Sequence, residues 1–301
     1  MGETMTEEVQ APATLKVSEL FYSLQGEGRY MGVPSVFLRT FGCNFKCQGF
    51  GMPKGQLSEE AEKIAWNQKN GIAVESYDDL PLVTTGCDSY ASWHPAFKNL
   101  SPVLTTDEIV DRIIDLLPNK QWGYEHLVIT GGEPLLGWQK SYIDLLKNPK
   151  MLTLKELTFE TNGTQPIHDK LKYFLFDWML SPKYGRRGNR AVTFSVSPKL
   201  SCSGEPREKA IQPEIVCSYE AIAFTYLKYV IATEEDAQEA LEVTELYRKE
   251  GFKGPIYFMP LGGVNDMYTL NNHRVAELAM KYGVRYSDRM HLPLFGNKWG
   301  T

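Results

Sequence analysis

Short apolar runs rich in β-branched and aromatic residues recur along the chain, and several are separated by polar segments with a helical period. One predicted helix, "TTDEIVDRIIDLL", opens with a capping box formed by Thr105 and Glu108, and another runs from Thr233 to Gly251. The clearest apolar runs predict strands at 35–40, 126–130, 154–160, 191–197, 226–232 and 255–260. This alternation favours a parallel sheet covered by helices, either a barrel or an open sheet, with the chemistry at the carboxyl ends of the strands.

Two polar segments interrupt the alternation and are predicted to be insertions. Residues 48–86 begin with Gly, Pro and Lys and continue into a charged, helix-like stretch, "LSEEAEKIAWNQKNG". Residues 201–216 are predicted to form a polar loop. We therefore expect a frayed N-terminus over residues 1–14, followed by a single domain over residues 15–301 that carries both insertions.

Composition and charge narrow the class of protein. Of the 301 residues, 43% are apolar and 23% are charged, which is typical of a globular protein with a large core. The formal net charge of −5 gives no basic surface for nucleic acid or an anionic membrane, so a small-molecule substrate is expected. No apolar run approaches membrane-spanning length, and "MGETMTEEVQ" lacks the features of a secretion signal. These features predict a cytoplasmic protein.

The five cysteines predict reduced thiols, because an odd number in a large chain without a secretion signal argues against a disulfide framework. Cys43 and Cys47 are four residues apart, a spacing that opens a cluster-binding loop. Such a loop usually supplies a third thiolate shortly afterwards, but Phe50 occupies that position. The site is therefore either incomplete or takes its third ligand from elsewhere in the chain.

A second chemical signal is "VITGGEPLL" (128–136), in which an apolar strand runs into Gly131, Gly132 and Glu133. Two glycines at the end of a strand let the backbone approach a ligand closely and leave its N–H groups accessible. The carboxylate that follows can accept hydrogen bonds from a cation such as an amino group. Alone, the glycine pair would indicate no more than a tight turn between a strand and a helix.

Together, "CNFKC" and "TGGEP" resemble the radical S-adenosylmethionine (SAM) superfamily. The resemblance implies three cysteines that hold a [4Fe–4S] cluster, with one iron left open for the amino and carboxylate groups of SAM. "GCDSYASWHP" (86–95) is similar to the end of a cluster loop in this superfamily, which makes Cys87 the candidate third ligand. A structural zinc site formed by the three cysteines and His94 is the alternative. Cys202 and Cys217 lie outside these motifs and are predicted to be spectators.

Longer stretches resemble one family within the superfamily, the 7-carboxy-7-deazaguanine synthases. They are "ELFYSLQGEGRYMGVPSVFLRTFGCN" (19–44), "ETNGT" (160–164), "SVSPKL" (195–200), "LKYVI" (227–231) and "YSDRMHLPLFGNKWGT" (286–301). The resemblance implies an α/β fold, a partial (β/α) barrel of the radical SAM type with inserted loops and helices. It also implies ring contraction of 6-carboxy-5,6,7,8-tetrahydropterin with loss of ammonia, in the biosynthesis of queuosine-type deazapurines.

The resemblance assigns roles to individual residues. Arg39 matches the partner of the pterin carboxylate, and Thr301 would supply a terminal carboxylate near the substrate. The other implied pterin contacts are Leu24, Gln25, Gly26, Glu27, Thr130 and His291. The implied SAM contacts are Gly131, Gly132, Glu133, Ser197, Pro198, Lys199, Met259, Pro260, Leu261 and Gly262, the last four falling where the family often has Gln-Pro.

The implied cofactors are the [4Fe–4S] cluster, SAM and Mg²⁺. Ser89 stands where the family has a threonine hydroxyl that ligates Mg²⁺, a change that keeps the oxygen and loses a methyl group. The implied partners are an electron donor such as a flavodoxin and a second copy of the chain in a homodimer. Two other functions stay open: a radical SAM activase that acts on a partner protein, and a non-catalytic descendant whose inserted segment binds a partner.

Overall fold

A computed structural model describes residues 12–71, 73–184 and 190–301 of the chain. The predicted strands are all present, with ends shifted by one or two residues. The described residues form one sheet from β1 (Thr14–Leu24), β2 (Pro34–Thr40), β3 (Val103–Thr105), β4 (His126–Gly131), β5 (Glu156–Thr161), β6 (Ala191–Val196), β7 (Phe224–Ile231), β8 (Ile256–Pro260) and β9 (Arg285–Tyr286).

The strand order of the sheet is β3-β1-β2-β4-β5-β6-β7-β8-β9. β1 is antiparallel to both β2 and β3, whereas every other neighbouring pair from β2 to β9 is parallel. Because β3 and β9 are the two edges, the sheet of the described residues is open, and the predicted partial (β/α) barrel is confirmed. The carboxyl ends of the parallel strands therefore lie along one edge.

Helices cover the sheet, and a large apolar core lies between the two layers. Thr105 and Thr233 cap their helices as predicted, each within a complete capping box. Gly251, in a left-handed conformation, ends the helix that Thr233 begins. The helices are α1 (Glu60–Lys69), α2 (Thr106–Leu116), α3 (Gln139–Lys147), α4 (Asp169–Leu180), α5 (Arg207–Ala210), α6 (Pro213–Glu220), α7 (Glu234–Glu250), α8 (Asn265–Tyr282) and α9 (His291–Phe295). Among the described residues, no helix combines the length and the apolar character needed to cross a bilayer.

Residues 48–86 leave and rejoin the domain at neighbouring points. The N–H of Gly86 donates to the carbonyl of Phe50 at 2.7 Å, and the N–H of Ser58 donates to that of Gln48 at 2.7 Å. The chain between these contacts forms α1, as its charged helical pattern indicates, and a 3₁₀ turn at Tyr77–Asp79. Closely spaced ends are what a tolerated insertion requires, because such a segment can be added without moving the strands around it.

The prediction that residues 201–216 form a loop is wrong for the backbone. The segment forms a 3₁₀ turn at Ser201–Ser203, then α5 and the first part of α6. Pro213 stands at the start of α6, where it favours helix initiation, and the buried Ala210 and Val216 pack on the main core. At the N-terminus, residues 1–11 lie outside the described residues, and β1 begins at Thr14, the last residue of the predicted frayed segment.

Candidate active site

The carboxyl ends of the strands line a cavity of about 270 Å³. Residues of β1, β2, β4, β5, β6, β7 and β8 form its wall, together with the loops that follow them. Its volume is close to the lower end of the range for small-molecule sites, roughly 300–1,000 Å³. All the residues predicted to contact the cluster, the pterin or Mg²⁺ line this cavity. Of the predicted SAM contacts, only Glu133, Pro198 and Pro260 do not.

The three predicted cluster cysteines face this one cavity although 40 residues separate Cys47 from Cys87 in the chain. Burial raises the pKa of Cys43 to about 12 and that of Cys87 to about 11, and it raises the pKa of Cys47 well above its usual value. Cys87 further raises the pKa of Cys43, and both of these thiols raise that of Cys47. Lys199 opposes this effect at all three thiols. The thiols therefore share one electrostatic environment.

Three thiols that line one cavity are the type of donor that an iron–sulfur cluster requires. Among the described residues, no group of three or more His, Cys, Asp or Glu side chains converges as a mononuclear site requires. Three thiolates that bind a cubane each ligate a different iron, so they surround a volume and need not meet at a point. His94 is also engaged, because its Nε2 pairs with Glu62 at 3.1 Å and its Nδ1 accepts from the N–H of Ala96 at 3.2 Å. The zinc alternative is therefore not supported.

The segment at 201–216 holds the loop that carries Cys47. Glu205 Oε1 accepts from the N–H of Lys46 at 2.8 Å and from that of Cys47 at 2.7 Å. Cys47 has a φ of 49°, in the left-handed region that residues other than glycine seldom adopt. A conformation of this kind persists only where its surroundings hold it. We infer that Glu205 positions the Cys47 thiol.

Replacing Glu205 with alanine is expected to weaken cluster retention, because hydrogen bonds to a charged group contribute about 1.5–3 kcal/mol each. After anaerobic reconstitution, absorbance is used to follow the release of iron to a chelator. This release should be about tenfold faster from the variant than from the unaltered protein. Glu208→Ala is the matched control, because Glu208 is an exposed carboxylate on the neighbouring α5. Equal release rates for the two variants would contradict the role of Glu205.

The Gly131–Gly132 pair lets the end of β4 pack directly on the loop that carries Cys43. A Cβ atom at Gly132 would lie 2.4 Å from the carbonyl oxygen of Gly42 and 2.6 Å from Cβ of Cys43, so no side chain fits there. The N–H of Glu133 also donates to the carbonyl of Gly42 at 2.8 Å. The close backbone approach that the sequence predicts for a ligand is used for contact with the loop that carries Cys43.

Glu133, a predicted SAM contact, makes its hydrogen bonds within the protein. Its carboxylate is buried and accepts hydrogen bonds from Thr161 Oγ1 at 2.8 Å, the N–H of Asn162 at 2.7 Å and the N–H of Leu135 at 3.0 Å. Burial raises its pKa, and these bonds act against the rise. The side chain therefore joins the ends of β4 and β5 and does not face the cavity.

A network of charged side chains connects three segments of the site. Arg289, which is 8% exposed, donates to Glu27 Oε1 at 3.1 Å, to Asp88 Oδ2 at 2.7 Å and to the carbonyl of Gly262. Lys228 is the second partner of Glu27. Burial alone would raise the pKa of Glu27, but Lys228 and Arg289 hold it far below its usual value. Arg289 thus links the segment predicted to contact the pterin, the residue after Cys87 and the segment predicted to contact SAM.

Arg39 is held in place from two sides. Its Nε pairs with Glu19 Oε2 at 2.7 Å, and its Nη1 donates to Ser89 Oγ at 3.1 Å. Burial would lower the pKa of Arg39, but Glu19 and Asp88 raise it, so the guanidinium stays charged. A cation that is buried and partly paired in a cavity can complete its hydrogen bonds with a substrate carboxylate.

Polar groups on β4, on β5 and on Gln25, which follows β1, converge beside Arg39. Glu160 accepts from Gln25 Nε2 at 3.1 Å and from Thr130 Oγ1 at 3.1 Å. This cluster presents both acceptors and donors along one wall of the cavity. Such a mixture suits a flat heterocycle whose edge carries amide and amino groups.

His291 lies directly against the Gln25–Glu27 segment. A Cβ atom at Gly26 would be 2.1 Å from His291 Nδ1, and the N–H of Met290 donates to the carbonyl of Gly26 at 3.0 Å. Burial lowers the pKa of His291 to about 4, and the charge of Arg289 adds to the effect. The imidazole is therefore neutral near pH 7, and one ring nitrogen can accept a hydrogen bond.

Sequence reasoning missed several charged residues of the site. Glu19, Asp88, Lys228 and Arg289 lie within the quoted motifs but were given no role, and Glu160 opens "ETNGT". A usable signal exists for one of them, since Lys228 is the single charged residue of β7, FTYLKYVI. Charged side chains are seldom buried without a partner or a function.

The sequence and the fold are similar to those of known proteins. No family model matches the chain. It is 30% identical to the 7-carboxy-7-deazaguanine synthase of Halobacterium salinarum over 291 residues, which cover 94% of this chain and 91% of that protein. The synthase of Rhodopirellula baltica is 27% identical, with 100% and 94% covered. The crystal structure of QueE from Escherichia coli has the same fold, with a TM-score of 0.51, 20% identity, and 92% and 95% covered. The chain belongs to the 7-carboxy-7-deazaguanine synthase family.

Proposed function

We propose that this protein converts 6-carboxy-5,6,7,8-tetrahydropterin to 7-carboxy-7-deazaguanine, with loss of ammonia, by radical SAM chemistry. The observation that carries the proposal is that the thiols of Cys43, Cys47 and Cys87 and the guanidinium of Arg39 line one cavity at the carboxyl ends of the strands. Membership of the 7-carboxy-7-deazaguanine synthase family supports the choice of reaction.

The chain's own residues divide the cavity into a cofactor side and a substrate side. Cys43, Cys47 and Cys87 would hold the cluster, and Ser197, Lys199 and the 259–262 segment would contact SAM. When bound, a reduced [4Fe–4S] cluster and SAM supply the one-electron chemistry that starts hydrogen abstraction from the substrate. The buried side chains of Phe45 and Trp93 line the cavity beside the thiols and would limit the access of water.

On the substrate side, Arg39 binds the pterin carboxylate with two parallel hydrogen bonds. The segment from Leu24 to Glu27 and Thr130 contact the ring edges, and the neutral His291 offers a hydrogen bond beside Gly26. Thr301 lines the same cavity, which supports its predicted place beside the substrate. These residues orient the ring, and orientation is the main contribution that a protein makes when the cofactor supplies the chemistry.

Mg²⁺ is proposed to bind at Ser89, with water and substrate oxygens completing its shell. The hydroxyl of Ser89 lies 3.2 Å from Asp88 Oδ1 and accepts from Arg39 at 3.1 Å. An oxygen donor beside a carboxylate is the ligand type that Mg²⁺ prefers, so the residues fit the ion. The neighbouring guanidinium of Arg39 favours joint binding of the ion and the substrate carboxylate over binding of the ion alone.

Arg39→Ala is expected to raise the apparent KM for the carboxypterin by about 10²-fold, because the variant loses a charge-assisted, bidentate contact. Arg39→Lys keeps the charge and should recover only part of the affinity, since a lysine cannot form the paired geometry. Arg112→Ala, on the exposed face of α2, is the control. Steady-state kinetics at saturating SAM would measure these values, and an unchanged KM in Arg39→Ala would show that the carboxylate binds elsewhere.

The experiment that tests the function is anaerobic incubation of the reconstituted protein with SAM, Mg²⁺, a chemical reductant and 6-carboxy-5,6,7,8-tetrahydropterin. Mass spectrometry should detect 7-carboxy-7-deazaguanine and an equal amount of ammonia. A protein with a full complement of iron and no product would contradict the proposal. A glycyl radical on a partner protein, with no pterin turnover, would favour the activase alternative.

The physiological setting follows from the family resemblance. We propose a cytoplasmic enzyme that receives electrons from a donor such as a flavodoxin and works as a homodimer. Size-exclusion chromatography with light scattering would measure the oligomeric state, and turnover with reduced flavodoxin in place of the chemical reductant would test the donor.

A further inference from the structure

The predicted insertion at residues 48–86, here called the inserted segment, contributes to a small apolar core beside the active site. Ala61, Tyr77, Leu80 and Val83 from this segment belong to one buried cluster. The cluster also contains residues that directly follow the third cysteine, among them Tyr90 and Phe97. The inserted segment is therefore packed against the site and is not a surface appendage.

Trp299, two residues from the end of the chain, docks on this core. Its indole ring makes edge contacts with Tyr77 at 5.6 Å and with Tyr90 at 5.7 Å between ring centroids. Its Nε1 donates to the carbonyl of Leu80 at 3.0 Å. The hydroxyl of Tyr77 bonds to the carbonyl of Ala91 at 2.9 Å, which fixes one wall of the indole site. An aromatic ring with both packing and a satisfied N–H group is well suited to anchor a chain end.

The anchored indole determines where the last residues lie. The N–H of Gly300 donates to Glu19 Oε1 at 2.9 Å, and the other oxygen of this carboxylate pairs with Arg39. On the opposite side, Asn297 Nδ2 donates to the carbonyl of Gly263 at 2.6 Å. Residues 297–301 therefore cross the cavity between Gly263 and Glu19, and all of them line it.

We propose that Trp299 is a positioning residue for the substrate, and that the inserted segment serves as its dock. Through Gly300 and Glu19, the dock fixes the guanidinium of Arg39, and through residues 297–301 it closes the pterin side of the cavity. The inference rests on the proposed function for the identity of the substrate. The anchoring itself depends only on the contacts of Trp299.

The test uses Trp299→Ala, Trp299→Phe and the control Trp66→Ala, because Trp66 belongs to the same inserted segment but is 64% exposed. Trypsin can cleave after the exposed Lys298 only when the end of the chain detaches. Mass spectrometry of the released Trp299–Thr301 peptide, or its variant form, measures this detachment without substrate or cluster. Trp299→Ala should release the peptide about tenfold faster than the unaltered protein. Trp299→Phe and Trp66→Ala should both release it at about the rate of the unaltered protein.

Kinetics of the reconstituted variants provide the second readout. Trp299→Ala should raise the KM for the pterin by about tenfold with the KM for SAM nearly unchanged, and Trp299→Phe should restore it. Unchanged peptide release in Trp299→Ala would overturn the anchor, and faster release with an unchanged KM for the pterin would overturn the positioning role. An unaltered enzyme with full iron content and no product would refute the proposed function alone, since the cleavage assay does not depend on it.

Discussion

Replacing Cys87 with alanine is expected to reduce bound iron and pterin turnover to background. The cluster would then have only Cys43 and Cys47 as protein ligands, and Phe50, at the position where a cluster loop usually has its third cysteine, has no metal-binding atom. Iron and sulfide analysis after anaerobic reconstitution, with the EPR spectrum of the reduced protein, would measure the loss. The cluster-free variant should unfold at nearly the same temperature as the cluster-free parent, because the substitution removes only one half-buried sulfur.

Cys202→Ala is the matched control for Cys87→Ala. Cys202 is also half-buried, and burial raises its pKa too, but its thiol is directed at the carbonyl of Val230 and does not line the cavity. This variant should bind iron and turn over the pterin like the unaltered protein. A normal reduced [4Fe–4S] signal in Cys87→Ala would remove Cys87 from the site, and loss of the signal in Cys202→Ala would point to a different ligand set.

Replacing Arg289 with methionine is expected to have the second largest effect. Methionine has a similar length but no charge, so Glu27 and Asp88 lose the cation that lies between them. Breaking a buried ion pair costs roughly 3–5 kcal/mol, and the lower end, about 3 kcal/mol, applies here because water screens the partly exposed Asp88. The unfolding temperature of the cluster-free protein should fall by several degrees. Turnover should fall further than stability alone explains, because Asp88 adjoins Cys87 and Glu27 lies in the pterin segment.

Arg274→Met is the matched control, since Arg274 is exposed on α8 in the same region of the chain. Its unfolding temperature and kinetics should equal those of the unaltered protein. The double variant Arg289→Met with Asp88→Asn should recover part of the stability, because it removes the Asp88 carboxylate that has lost its salt-bridge partner, whereas Glu27 keeps Lys228. An Arg289→Met protein with unaltered unfolding and unaltered kinetics would show that the network contributes neither to the fold nor to the site.

The fold could be predicted largely from local patterns. Strands such as β4 read as continuous apolar runs because parallel strands are buried on both faces, and the structure buries five successive residues there. Thr105 and Thr233 mark helix starts because the capping interaction is confined to one turn of chain. The segment at 201–216 escaped this reasoning because its helices are short, and only isolated apolar residues attach them to the core.

The same distinction between local patterns and long-range contacts applies to the residues of the candidate site. Residues within recognisable motifs, such as Arg39 and the glycines at the end of β4, could be predicted from the sequence to lie in the site, and they line the cavity. Glu205, Arg289 and Trp299 could not, because their importance lies in contacts with segments that are distant in the chain. Their partners are, in the same order, the N–H of Cys47, the carboxylate of Glu27 and the carbonyl of Leu80. Only folding brings these groups together.

The central claim is that one cluster joins Cys87 to the early cysteine pair. A crystal structure of the anaerobically reconstituted protein, with iron located by anomalous scattering, tests it most directly. Four irons are expected in the cavity, three bonded to the sulfurs of Cys43, Cys47 and Cys87 and the fourth without a protein ligand. Iron bound through other residues, or a Cys87 sulfur outside bonding distance of every iron, would contradict it.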